Sequence, residues 1–338
     1  MVFVWIAFIA LILLLLAVDL GIFHRKAHVV TAREGLMWSI VWMTLAFSFA
    51  GFIYGAYEYK WFGLGIQPDP VDRTAAMPYG VINDGSAALL KYITGYVVEQ
   101  SLSVDNMFVI AMLFRFFAVP AIYQHRVLFW GILGALTMRG VMIALGARLI
   151  AEFGWILYIF GAFLIFTAVK MLFMDTEEQD PTKNVIVRTT RKIFPVTRRY
   201  HGQHFLVRKR GALLLTPLAL ALIMVEMTDL LFAVDSIPAI FAITADPFLV
   251  FASNAFAILG LRSLYFVLAG ALDAFRYLKV SLALVLGLVG TKMLAHTWLK
   301  EMLGEYMNLY VLAAVVVILS AGAIASLLIT VSDKQKHE

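Results

Sequence analysis

Cysteine is absent from this chain of 338 residues, which excludes disulfide bonds, thiolate metal ligands and cysteine nucleophiles together. Charge is also scarce, since Asp, Glu, Lys and Arg make up only 14% of the sequence. Soluble domains are about 45–50% apolar and about 25% charged, whereas this chain is 62% hydrophobic with a mean hydropathy of +0.88. The composition therefore predicts an integral membrane protein.

Motifs of nucleotide and enzyme chemistry are missing as well. The sequence has no G-x-x-x-x-G-K-[ST] loop and no paired nucleophile and base, so we expect neither an enzyme nor a bound cofactor. The net charge of +5 implies no nucleic-acid partner, because basic membrane-flanking loops account for it. Residues 1–23 lack the basic start of a signal peptide and are interpreted as a spanning helix.

Long apolar runs dominate the rest of the chain. A helix needs about 20 residues to cross a bilayer, and runs of that order predict an all-α polytopic membrane protein with about nine transmembrane helices. The runs lie near residues 2–23, 36–57, 87–114, 126–148, 153–174, 212–242, 248–270, 277–297 and 306–330.

The connection at 175–211 is strongly basic, and loops rich in Lys and Arg stay on the cytoplasmic side. This bias predicts an N-terminus outside and a C-terminus inside a multi-pass protein of the cell inner (plasma) membrane. It also leaves open a different kind of protein, a membrane scaffold whose basic loop recruits partners or acidic lipid. Lipid is an expected partner in either case, whereas protein partners and an oligomer are left open.

Two apolar runs contain acidic side chains, which are costly in a bilayer. An Asp at the centre of a membrane helix costs about 2.5–3.5 kcal/mol, so such residues indicate a functional site. The candidate residues of the first run are Glu99, Asp105 and Asn106, and those of the second run are Glu226, Asp229, Asp235 and Ser236.

These acidic segments begin two copies of a predicted internal repeat. The paired marks are Val104-Asp105-Asn106 with Val234-Asp235-Ser236, Gly131 to Arg139 with Ile258 to Arg262, and Lys170-Met171-Leu172 with Lys292-Met293-Leu294. Each copy contains three spans, and an odd number inverts the second copy in the membrane. The alternative is that a shared bias toward small and aliphatic residues imitates a repeat.

The repeat gives the domain organisation that we expect. One transmembrane domain, 1–338, is divided into two N-terminal helices (1–60), repeat 1 (87–174), the basic cytoplasmic loop (175–211), repeat 2 (212–297) and a last helix (304–331).

Helix geometry suggests that the acidic helices are discontinuous. Asp229 and Asp235 lie about 120° apart on a straight helix and could not meet one ion there. Pro238 removes a backbone donor and disturbs the preceding turn, and Ser101 and Ser103 could loosen the first copy more weakly. We therefore expect two broken helices that face each other across a polar cavity.

Carboxylates, an amide and hydroxyls make an all-oxygen site, which suits Mg²⁺, Ca²⁺ or Mn²⁺ better than copper or zinc. The number of acids favours a divalent ion as substrate over a single Na⁺. Crowded carboxylates raise one another's pKa, so proton exchange could accompany metal binding. These features predict a protein that carries a divalent metal ion through the membrane. The alternative is a relay that moves protons or another cation.

Other charged residues within spans have two interpretations each. Asp19 belongs either to the pathway or to the membrane interface. Arg139 and Arg262 are either counter-ions that hold an empty site closed or caps of helix carbonyls. Lys170 and Lys292 are expected to extend toward the membrane faces.

Three strings resemble the TerC family of integral membrane proteins, most closely its Alx-type members, over nearly the whole chain. They are Glu99-Gln-Ser-Leu-Ser-Val-Asp105-Asn106-Met-Phe-Val, Tyr158-Ile-Phe-Gly-Ala-Phe-Leu and Val234-Asp235-Ser236-Ile-Pro238-Ala-Ile-Phe-Ala. The family is associated with manganese export and with tellurium resistance. The resemblance implies an Mn²⁺ exporter of the inner membrane that uses the acids named above.

Overall fold

The computed structural model describes residues 2–19, 31–73, 79–173, 195–197, 199–209, 212–268 and 278–336. Within these ranges the chain is almost entirely helical. The helices are α1 (Val2–Val18), α2 (Ala32–Glu58), α3 (Gly85–Phe116), α4 (Ala121–Glu152), α5 (Ile156–Phe173), α6 (Pro217–Phe241), α7 (Pro247–Leu268), α8 (Leu278–Leu294), α9 (His296–Leu303) and α10 (Met307–Lys336). Two short antiparallel pairs complete it, β1 (Pro68–Asp69) with β2 (Val81–Ile82) and β3 (Leu206–Lys209) with β4 (Ala212–Leu215).

Side-chain caps explain where several helices begin. The Asp84 carboxylate accepts a hydrogen bond from the Ala87 amide at 2.7 Å and starts α3, and this bond lowers the pKa of Asp84. Thr216 caps α6 by accepting from Ala219 N at 3.2 Å, and Pro217 follows at the first helical position. The run predicted from residue 212 is therefore helical only from 217, because 212–215 pair with 206–209 as a strand.

Each predicted apolar run coincides with a helix. By length and hydropathy, seven of the described helices can cross a membrane, or eight if α8 and α9, bent by 89° at their junction, count as one span. The all-α, multi-span class is thus confirmed. A ninth span would need α1, whose 17 residues are fewer than the usual 20 or so, so the count of nine stays a prediction.

Helix packing follows a crosswise pattern. In the described structure α3 packs against α7, α4 packs against α6, and α5 packs against α8. In addition α3 contacts α6, and α4 contacts α7. The helices of the predicted first repeat therefore meet mainly helices of the second, and these five contacts map onto one another when the two sets are exchanged.

The expectation of broken acidic helices is wrong for this structure, because α3 and α6 are continuous. Ser101 does not interrupt α3, since its hydroxyl donates back to the Val97 carbonyl at 2.6 Å. Pro238 lies inside the last turn of α6, three residues before the helix ends at Phe241. The missing proline amide therefore affects a helix end, where few bonds depend on it.

Candidate functional site: acids around a buried arginine

Arg139 lies near the middle of α4 and is 1% exposed. Its guanidinium forms an ion pair with Glu99 of α3 and a second one with Asp229 of α6. The Asp229 contact has two arms, Nη2 to Oδ1 at 3.1 Å and Nε to Oδ2 at 3.4 Å. A planar guanidinium suits such paired contacts with a carboxylate. One cation thus joins acids from two separate helices.

Two neutral side chains complete the surroundings of the guanidinium. Nη1 of Arg139 donates to Ser236 Oγ at 3.3 Å and to Asn254 Oδ1 at 3.0 Å. Ser236 belongs to α6 and Asn254 to α7. We call these five residues, Arg139, Glu99, Asp229, Ser236 and Asn254, the Arg139 cluster.

The two acids of the cluster occupy matching positions in the sequence. Glu99 lies six residues before Asp105, and Asp229 lies six residues before Asp235. In the repeat register proposed from the sequence, they are therefore equivalent residues. A site on the axis between two repeats is expected to bring equivalent residues together. Glu99 and Asp229 meet this expectation, because both bind the Arg139 guanidinium.

Glu226 extends the cluster along α6. It lies three residues before Asp229, so both face the same side of the helix. Its carboxylate packs on Gly134 of α4 so closely that a Cβ at Gly134 would overlap it. The Oε2 atoms of Glu226 and Glu99 are buried and have no hydrogen-bond partner among the residues that the structure describes. The glycine leaves room for the carboxylate, and the acids retain unused oxygen atoms.

The charges of the cluster do not balance when its acids are ionised. One guanidinium faces Glu99 and Asp229, with Glu226 beside them. A buried charge that loses its partner costs about 3–5 kcal/mol. With these acids ionised, the site carries a net negative charge, which a proton or another cation would balance.

The remaining predicted residues form no hydrogen bond or ion pair with the Arg139 cluster among the contacts that the structure describes. The half-buried Asp235 lies toward α5, where Thr167 Oγ1 donates to its Oδ1 at 3.4 Å. Asn106 is buried in α3, and the side chain of Asp105 lies outside the described part of the chain. Asp19, just after α1, forms a buried ion pair with Arg262 of α7.

No three acidic or histidine side chains among the described residues are arranged to hold a metal ion. The central position among the acids is instead taken by the Arg139 guanidinium. The metal-ligand role of the predicted residues thus stays a prediction, with Asp105 unplaced.

A second buried ionic network was missed by sequence reasoning. Lys91, fully buried in α3, places its Nζ 2.8 Å from Asp69 Oδ2, 2.5 Å from Asp72 Oδ2 and 2.6 Å from Asn83 Oδ1. Asp69 also accepts from Thr244 Oγ1. These five residues form what we call the Lys91 network. The sequence signal for this network is Lys91 itself, a charged residue within the apolar run 87–114.

The Lys91 network fixes the connections at one end of the bundle. The Asp69 carboxylate accepts from the Ala245 amide at 2.9 Å, in the turn between α6 and α7. Burial by itself would raise the pKa of Asp72, but the Lys91 ammonium outweighs it and holds that pKa below its ordinary value. Lys292, expected at the membrane face, is instead buried and donates to the Ala242 carbonyl at 3.0 Å.

Residues 84–336 match the sequence profile described as "Integral membrane protein TerC family". The chain belongs to the TerC family. This confirms the resemblance found in the sequence and makes the chain a multi-span integral membrane protein.

Similar proteins cover most of the chain. A Myxococcus xanthus protein named "Uncharacterized membrane protein STKORF319" is 45% identical over 324 residues, 96% of this chain and 92% of that protein. A Shigella flexneri protein named "Putative membrane-bound redox modulator Alx" is 45% identical over 291 residues, 86% of this chain and 85% of that protein. A Rickettsia bellii membrane protein is 39% identical over 295 residues, 87% of this chain and 89% of its own length. No solved structure matches.

Proposed function

We propose that this TerC-family chain is a secondary transporter that exports a divalent metal ion, with Mn²⁺ as the leading candidate, across the cytoplasmic membrane. The observation that carries the proposal is the Arg139 cluster. In it, acids from two helices turn toward one buried positive charge in the middle of the bundle.

The atoms that face the guanidinium suit a hard metal ion. They are oxygens of Glu99, Asp229, Ser236 and Asn254, contributed by three helices. Such oxygen sets favour Mg²⁺, Ca²⁺ or Mn²⁺. Two carboxylates carry a charge of −2, which a divalent ion balances and a guanidinium only halves. A divalent ion therefore competes well for the position that Arg139 fills.

Alternating access would turn the competition between the metal ion and the Arg139 guanidinium into transport in one direction. When Arg139 withdraws, the oxygens are left for the metal, and Glu226, beside Gly134, is positioned as a further ligand. The arrival of a guanidinium at the acids then expels the metal toward the other side. Metal binding and protonation compete for carboxylates, so proton exchange or the membrane potential could supply the energy.

The crosswise helix packing and the meeting of Glu99 with Asp229 support an inverted repeat. Together with the basic loop 175–211, they favour an N-terminus outside and a C-terminus in the cytoplasm. The proposal assigns the chain no enzymatic reaction and no resident cofactor. Without cysteine it also has no thiol couple, so a redox role like that named for its relative would act through the transported ion.

The test is ion flux through the purified protein in liposomes. Mn²⁺, Mg²⁺ and Ca²⁺ are compared with metal-sensitive dyes, and a pH dye follows protons. We expect wild-type flux of Mn²⁺ and its loss in Glu99→Gln and Asp229→Asn. The matched control is Glu152→Gln, since Glu152 is exposed at the end of α4 and pairs only with the exposed Arg148 among described contacts.

Three outcomes would contradict the proposal. Proton flux without metal flux would favour the proton transporter. Full metal flux in both acidic variants would remove the cluster from the pathway. A protein that moves no ion, and whose Asp229→Asn variant still functions in cells, would favour the membrane scaffold.

A further inference from the structure

The two arginines that match in the predicted repeat have different partners. Arg139 of α4 binds the central acids Glu99 and Asp229. Arg262 of α7 is equally buried, at 3% exposure, and pairs with Asp19. Asp19 follows α1 and lies before the first repeat. The acids at the centre are thus arranged symmetrically, whereas the arginines are not.

This asymmetry is expected if the bundle alternates between two states that open to opposite sides of the membrane and the structure shows one of them. Inverted-repeat transporters alternate by moving one repeat against the other around a fixed site. An exchange of the two repeats leaves Glu99 and Asp229 at the centre but places α7 where α4 now lies. One guanidinium binds both central acids in the present state, so in the exchanged state the arginine of α7 replaces that of α4.

On the basis of the proposed function, we propose that Arg262 is a second positioning residue of the transport cycle. In the opposite-facing state it leaves Asp19 and binds Glu99 and Asp229, while Arg139 withdraws. In the present state, the ion pair with Asp19 keeps Arg262 away from the central acids. The metal passes through the centre between the departure of one arginine and the arrival of the other.

The required movement is within the range of known helix shifts. Asn254, which contacts Arg139, lies eight residues before Arg262, about 12 Å along the axis of α7. An arginine side chain covers part of that distance, and helix shifts of about one turn, ~5.4 Å, occur in switching proteins. Because α7 already packs against α3 and α4, it borders the cluster in this state.

The absence of cysteine allows a direct test with single cysteines. Ser103 lies four residues after Glu99 on α3, and Ser253 packs against Gly95, four residues before Glu99. Both serines are buried, and they bracket the cluster along α3. The ratio of labelling rates of Ser103→Cys and Ser253→Cys by a water-soluble thiol reagent reports which side of the cluster is open.

Arg139→Gln and Arg262→Gln should shift this labelling ratio in opposite directions, each by about fivefold or more, the lower range of typical couplings between sites. Asp19→Asn should shift it in the same direction as Arg139→Gln, because it removes the charge that Arg262 pairs with in the present state. Arg262→Lys should restore much of the wild-type ratio. Arg148→Gln, at an exposed pair, should leave the ratio unchanged.

The proposal fails if Arg139→Gln and Arg262→Gln shift the ratio in the same direction, or if Arg262→Gln leaves it unchanged. If Arg262→Gln does not insert, Asp19→Asn decides, and a wild-type ratio in that variant overturns the proposal. Labelling requires no transport, so the outcome is independent of whether metal flux is found in liposomes.

Discussion

The Arg139 cluster and the Lys91 network contain the same kinds of side chain, but their acids come from different parts of the chain. Each buries one cation between two acids and an asparagine. The acids of Lys91, Asp69 and Asp72, come from one short segment, whereas those of Arg139 come from α3 and α6. Acids on one short segment keep their spacing, whereas acids on two separate helices can part when the helices move.

The two regions also differ in how completely their polar atoms are bonded. Asp69 accepts from Lys91, Thr244 and two backbone amides. In contrast, Glu99 and Glu226 each keep a buried oxygen that has no hydrogen-bond partner in the described part of the chain. A fully satisfied network is rigid, whereas a partly satisfied one attracts a ligand. We therefore expect the Lys91 network to stabilise the fold and the Arg139 cluster to bind metal.

The largest expected effect on stability is that of Lys91→Met. It leaves Asp69 and Asp72 buried without their cation, which costs about 3–5 kcal/mol. Denaturant unfolding of the purified protein measures this loss, and added Mn²⁺ should not recover it. Lys300→Met is the matched control, since Lys300 donates only to the Asp72 backbone carbonyl among its described contacts and should matter much less. Equal losses in the two variants would contradict a central role for Lys91.

Effects on transport as large as those of Glu99→Gln and Asp229→Asn are expected from Asp105→Asn and Asp235→Asn. Each removes a charge and a potential ligand from the membrane interior, so Mn²⁺ efflux should fall to background while the protein remains inserted. Flux in liposomes and the amount of membrane-inserted protein measure the two properties. Normal efflux in either well-inserted variant would remove that residue from the pathway.

A smaller effect is expected from Gly134→Ala. The added methyl group meets the Glu226 carboxylate and must displace it, so Mn²⁺ flux should fall several-fold. The control is Gly287→Ala, where the methyl group meets only Ala168 at an ordinary contact distance of 3.7 Å. A Gly134→Ala flux equal to that of the control would show that the position of Glu226 is unimportant.

How much of this could be predicted from the sequence depends on the kind of interaction. Apolar runs determine where helices form, so each predicted run coincides with a helix, although residues 212–215 form a strand. Glu99, Asp229 and Ser236 were predicted as one site and do share a centre. The break expected at Pro238 does not occur in α6, because the effect of a proline depends on its distance from the helix end, which periodicity does not fix.

Long-range partners could not be predicted in the same way. Lys91 depends on Asp69 and Asp72, from a polar segment whose position over α3 is set by tertiary packing. Lys292 was expected at the membrane face because its partners, the Ala242 carbonyl and Asn308, lie on other elements. A charged residue inside an apolar run signals a partner but does not identify it.

The smallest expected effect is the pH dependence of the Lys91 network. The folded-state pKa of Asp72 lies below its unfolded value of about 3.9. Its stabilisation is therefore fully present above that value and is lost as the pH falls below about 4 toward the folded pKa. Wild-type unfolding free energy should fall more steeply than that of Asp72→Asn between about pH 5 and pH 3. Parallel curves for the two proteins would contradict the assignment.

The most direct test of the central claim is Mn²⁺ binding to the purified protein, measured by titration calorimetry. Glu99→Gln and Asp229→Asn should each weaken binding about tenfold or more, about 1.4 kcal/mol, because each removes a ligand of the Arg139 cluster. Asp72→Asn and Glu152→Gln should bind as the wild type does. Unchanged affinity in Glu99→Gln and Asp229→Asn, or an equal loss in Asp72→Asn, would contradict the assignment of the metal to the acids around Arg139.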